Sequence, residues 1–178
     1  MTTAPNTKLE LEFVSTFVVR PKRARYTGFL VSPGLRPKFL RALYGFSDFD
    51  PRFQVSLSGR ADSSHGFLTE LRRRGAGSNA YLISTNGDLD AVTMPLDAAV
   101  NEVHGYGDGT IIICTPAHLA YYEGEWRYRF ILDSRLFVTT HNVHPLRCPV
   151  GSSSAYLRGR ARAPCRARAD VESGRLLE

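Results

Sequence analysis

Four carboxylates at two turns come closest, in type and spacing, to a reactive centre. Asp88 and Asp90 alternate in the loop Asn86-Gly87-Asp88-Leu89-Asp90, and Glu123 and Glu125 flank Gly124. Paired carboxylates at strand ends suit general acid–base work or a divalent cation, which would make the protein a small hydrolase or transferase. Three features weigh against this. The loop lacks the later ligands of a calcium-binding loop. Only Lys8, Lys22 and Lys38 precede residue 145, so a nuclease-type lysine is poorly supplied. Asn-Gly-Asp is also ordinary turn chemistry without any ligand. The four carboxylates therefore stand as the alternative site, which requires them to converge in one pocket.

Thiol and imidazole chemistry is weaker. Cys114 has His104 and His118 within reach along the chain, but it ends the run Ile111-Ile112-Ile113, where a cysteine is expected to be a small buried hydrophobe. His141, His144 and Cys148 have the spacing of a metal-binding triplet but lie in a stretch without apolar pattern, and no metal or cofactor is expected. Gly105-x-Gly107-x-Gly109 precedes an apparent strand, whereas a phosphate cradle needs a helix after it.

The leading candidate surface is cationic. Arg20, Lys22, Arg23, Arg25, Arg36, Lys38 and Arg41 fall in one segment that has no acidic residue between Phe13 and Ser47. Interleaved with Tyr26 and Phe29, they could neutralise phosphates, with affinity gained through counterion release. The expectation is a non-catalytic binding or regulatory module whose acidic partner is a protein or a nucleic acid. A purely structural account has the same cations solvated or paired with the molecule's own acidic half.

Charge is in fact segregated along the chain. The net charge is +6, but residues 145–178 hold seven arginines against three acids. Residues 9–74 carry 12 cations and 6 anions, and residues 75–134 carry 2 and 8. No run approaches the ~18 apolar residues of a membrane span. The first residues lack a basic stretch followed by an apolar core, so a secretory signal is not expected and the cytosol is the default location. Three cysteines without metal-ligand spacing fit that setting.

The elements that must position these groups read as one α+β domain over residues 9–140. Its sheet is mixed or antiparallel, with five or six strands and about four helices. The clearest stretch is a three-stranded meander: Thr110–Cys114, Leu119–Tyr122, and a strictly alternating strand from Trp126 to Asp133. Ahead of it come strands at Phe53–Leu57 and Ala80–Ser84, a helix after Ser63 or Ser64, and a helix carrying Leu96, Ala99, Val100 and Val103. This alternation leaves parallel pairing open to the central strands. Two helices, from Pro21 and from Leu35 to Tyr44, form a hairpin. Leu9–Phe13 alternates, and its β-branched neighbours favour a strand over the helical face Phe13, Val14, Phe17 and Val18. Residues 1–8 are expected to fray. Leu136–Thr140 is a possible edge strand, and residues 141–178 read as a disordered, low-complexity basic tail.

Overall fold

Asn6 starts the first helix by accepting a hydrogen bond from the Leu9 amide at 3.2 Å. Thr7–Phe17 (α1) then buries Glu10, Phe13, Val14 and Phe17, spaced i, i+3, i+4, i+7 on one helical face. This corrects the expected strand from Leu9 and brings Thr7 and Lys8 out of the expected frayed end. The 3.6-residue period of burial outweighs the β-branched content. The computed structural model describes residues 4–55, 63–125 and 128–136, all within one compact unit spanning residues 1–144. The expected tail and the possible strand at 137–140 lie outside the described residues.

A short 3-10 turn at Arg20–Lys22 contains Pro21 and leads into Arg23–Val31 (α2), which buries Tyr26 and Leu30. After the break at Ser32-Pro33-Gly34, Arg36–Ala42 (α3) buries Arg36 and Phe39. The two helices pack together as the expected hairpin. Tyr26 meets Phe39 edge-on and Phe46 tilted, with ring centroids 5.6 and 5.0 Å apart. Asp50 caps a second 3-10 turn at Pro51–Phe53, and Gln54–Val55 (β1) is what the structure shows of the expected strand there. Leu57 is outside the described residues.

Ser63 caps Ser64–Arg73 (α4), its hydroxyl accepting from the Gly66 amide at 3.0 Å. Gly75, at φ 81°, closes the helix in the left-handed region and lets the Ala76 amide return to the Leu71 carbonyl at 3.0 Å. On α4, Glu70 accepts from Arg73 at 2.7 Å and from Arg74 at 2.6 Å. The Arg73 bond, helped by Arg74 against the opposing effect of burial, pulls its pKa down from 4.5 to about 2. A depressed carboxylate pKa stabilises the fold fully above 4.5, and that contribution is lost as the pH falls toward 2. Glu70→Gln should therefore flatten the fall in melting temperature across that acid range, as thermal scans at a series of pH values will show.

The remaining elements are Asn79–Ser84 (β2), Thr93–Pro95 (β3), Leu96–Val103 (α5), Thr110–Cys114 (β4), Leu119–Glu123 (β5) and Arg129–Asp133 (β6). They complete an α+β fold with five α-helices among the described residues and one six-stranded sheet. The strand order is β1-β6-β5-β4-β2-β3, and every pairing is antiparallel. No central pair is parallel, because β3 turns back along β2 before α5 begins. The crossover through α5 thus joins β3 to β4 with β2 between them, and β4 enters antiparallel to β2. β3 itself was not expected; it is a three-residue edge strand ending in a proline, which an edge tolerates.

Helices cover both faces of the sheet. The α1–α3 side packs on Tyr81, Ile83, Ile111, Ile113, Ala120 and Tyr122. The α4–α5 side packs on Ala80, Leu82, Ile112, Cys114, Leu119 and Tyr121. Double coverage explains the unbroken apolar run of β4, which has no solvent face on which to place a polar residue.

Candidate functional site

The seven cations expected on one surface divide into three roles. Arg36 turns inward and is buried. Its Nη1 donates to Glu10 at 2.5 Å, and its Nε and Nη2 donate to the two oxygens of Asp90 at 3.2 and 2.8 Å. Glu10 is wholly buried in α1 and accepts a further bond from the Tyr81 hydroxyl at 2.6 Å. Burial opposes the charge on Arg36, yet its bonds to Glu10 and Asp90 raise its pKa further above the ordinary arginine value. The Tyr81 hydroxyl is also raised, by burial first and by Glu10 second. Arg36 therefore tethers α3 to α1 and to the loop after β2, and it is not part of an outer surface.

Arg23 has a second role. Its Nε donates to the Val18 carbonyl at 2.8 Å, and its Nη2 donates to the Thr16 carbonyl at 3.4 Å, so it satisfies acceptors at the C-terminal end of α1. The other five, Arg20, Lys22, Arg25, Lys38 and Arg41, lie on the outside of the helical layer, with Lys22 half-buried. None of the five makes an ion pair with a described carboxylate. Arg25 lies over the rings of Tyr26 and Phe29, 5.8 and 5.5 Å from their centroids, a contact that leaves its charge facing outward.

The four alternative carboxylates start from one end of the sheet, since Ser84, Thr110, Glu123 and Arg129 form one row across β2, β4, β5 and β6. They then separate. Asp90 goes to the α1–α3 face and is taken by Arg36 and by the Ser84 amide at 3.2 Å. Glu123 goes to the opposite face, where its buried carboxylate accepts from the Gly105 and Gly107 amides at 2.6 and 3.2 Å and from the Tyr121 hydroxyl at 2.6 Å. Gly105 and Gly107 adopt φ of 94° and 71° to aim those amides. Glu125 is exposed in the turn after β5. Asp88 is exposed and lines a cleft of about 280 Å³ with Asn86, Glu102, Tyr106 and Asp108. The two best-placed carboxylates of the alternative site are thus held by internal contacts on different faces.

Cys114 is fully buried, and burial pushes its thiol up to about 12. At such a pKa essentially no thiolate exists near neutrality, so the nucleophile reading fails on protonation as well as on access. Alkylation of the folded protein at pH 8, with adducts mapped by mass spectrometry, should leave Cys114 unmodified until denaturant is added. Among the described residues no three His, Cys, Asp or Glu side chains gather to hold a metal ion. The triplet His141, His144 and Cys148 lies outside those residues.

One feature that the sequence did not suggest sits at the end of α3. Pro37, Leu40, Arg41 and Tyr44, with Thr85 from the loop after β2, line an open depression of about 250 Å³. The spacing i, i+3, i+4, i+7 from Pro37 marks one stripe of α3 and the residues just after it, and this was the available signal. Tyr44 is 39% exposed. The Thr85 hydroxyl is buried without a hydrogen-bond partner among the described residues. No helix among the described residues is long and apolar enough to cross a membrane. Comparison with protein-family models, with curated proteins and with solved structures finds no match to this chain.

Proposed function

We propose that the protein is a non-catalytic binding or regulatory module that meets an acidic partner, protein or nucleic acid, through the outer surface of α2, α3 and the turn before α2. The supporting observation is that Arg20, Lys22, Arg25, Lys38 and Arg41 point outward and have no ion-pair partner among the described carboxylates, while Arg36 alone engages Glu10 and Asp90. The segment has no acid of its own to neutralise it. The setting we infer is the cytosol, in keeping with a Cys114 that is free and buried.

The test is made on the full chain, so that residues 145–178 contribute equally to every variant. Binding of a labelled polyanion is measured against salt for the wild type and for the triple variant Arg25→Glu, Lys38→Glu, Arg41→Glu. Each phosphate contact contributes about 0.7–0.9 to the slope of log affinity against log salt. Loss of three contacts should reduce that slope by about 2–3. An unchanged slope and affinity in the triple variant, toward both nucleic acid and an acidic peptide, would sink the reading.

A further inference from the structure

We propose that the acidic partner is a single-stranded nucleic acid, one base of which seats on Tyr44 in the depression at the end of α3. This rests on the cationic-surface reading above and narrows it. The cations alone fit any polyanion. The depression distinguishes among polyanions, because it sets an exposed aromatic side chain, Tyr44, beside Arg41, Leu40 and Pro37. Pro37, Leu40 and Arg41 line it with Tyr44, which is 39% exposed. A peptide of acidic residues alone offers carboxylates but no flat π-face to fill such a site. A duplex offers phosphates but keeps its base faces stacked inside. A single strand supplies both, with phosphates for Arg41, Lys38 and Arg25 and an unstacked base for the ring.

Two further observations fit. Thr85 lines the depression with a buried hydroxyl that lacks a partner among the described residues, which is unmet hydrogen-bonding capacity at the proposed seat. On the far side of the same loop, Asp88, Glu102 and Asp108 line the acidic cleft. Phosphates are repelled there, so the strand runs outward over α3 and α2 and does not continue across the end of the sheet.

The probes are fluorescein-labelled (dT)12, a hairpin duplex with the same number of phosphates, and an oligoglutamate peptide, each titrated with the full chain by anisotropy. The wild type should bind (dT)12 at least tenfold more tightly than the duplex. Tyr44→Leu keeps apolar bulk without a π-face and should weaken (dT)12 binding roughly 5- to 150-fold, the range for one base stacked on an aromatic ring. Its effect on the duplex and its salt slope should be negligible, and Tyr44→Phe should restore affinity. Ultraviolet crosslinking of (dT)12 to the wild type, mapped by mass spectrometry, gives a readout independent of any variant's folding, with the adduct expected at Tyr44. An adduct elsewhere, equal loss on duplex and single strand, or preference for oligoglutamate overturns base seating. If the triple charge variant still loses binding in those cases, the cationic surface stands; if it does not, both readings fall.

Discussion

Replacing Arg36 by methionine should lower the free energy of unfolding by about 3–5 kcal/mol, the cost of leaving buried charges without their partner. Against a typical total of about 5–15 kcal/mol for a domain, this is a large fraction of the stability. The size follows from position. Glu10 is fully buried, and the Arg36 and Asp90 side chains are 11% and 16% exposed. Methionine fills the aliphatic part of the space but leaves two carboxylates without their shared cation, with Tyr81 the only other side-chain donor to Glu10 among the described residues. Arg36→Lys keeps the charge but cannot reproduce the fork that reaches both oxygens of Asp90, so it should recover only part of the loss. Urea midpoints of the wild type and the two variants measure this. A loss below about 1 kcal/mol would mean that the three charges do not form the tether described.

Gly109→Ala should cost about 3 kcal/mol or more, at or above the usual range for overpacking. A Cβ there would lie 2.3 Å from the Leu43 carbonyl carbon and 2.5 Å from both the Leu43 oxygen and the Tyr44 nitrogen. All three are backbone atoms, so no rotamer change relieves the contact and the end of α3 must lift off β4. That shift would strain a linked set of bonds. The Tyr122 hydroxyl donates to the Leu43 carbonyl at 2.7 Å and accepts from the Phe46 amide at 3.0 Å, and the Glu125 amide donates to the Tyr44 carbonyl at 2.9 Å. Burial pushes the Tyr122 hydroxyl up to about 12, so it remains a donor throughout the physiological range. Gly45→Ala, two residues past Leu43, meets nothing within 4 Å and should leave the urea midpoint nearly unchanged. Since α3 carries Lys38, Arg41 and the approach to Tyr44, Gly109→Ala should also weaken polyanion binding without touching a contact residue.

Where local chemistry decides, the sequence was readable. β4 showed its double burial in three consecutive isoleucines, the pair Ser63-Ser64 announced α4, and the stripe Leu96, Ala99, Val100, Val103 located α5. The failures arose where a distant partner decides. At α1 the alternation of Leu9 to Phe13 competes with the helical face Phe13, Val14, Phe17 and Val18, and a glutamate such as Glu10 adds no hydrophobic signal to that face. Glu10 is buried because Arg36, 26 positions later, reaches it. The same pairing removed Arg36 from the expected outer surface. β3 was missed because three residues ending in Pro95 make no periodic signal, and that omission hid the hairpin which makes the sheet antiparallel. For the site, composition grouped the seven cations, but it could not separate Arg36 and Arg23, which bond internally, from the five on the outside of the helical layer. The depression at Tyr44 was not legible, because Thr85 reaches it only through the fold.

The measurement closest to the central claim is an amide chemical-shift titration of the isotopically labelled full chain with (dT)12. Perturbations should concentrate in residues 20–44 and at Thr85, should weaken with added salt, and should leave α4 and α5 unmoved. Shifts confined to residues 145–178, or centred on α4 and α5, would place binding elsewhere and contradict the role assigned to α2 and α3.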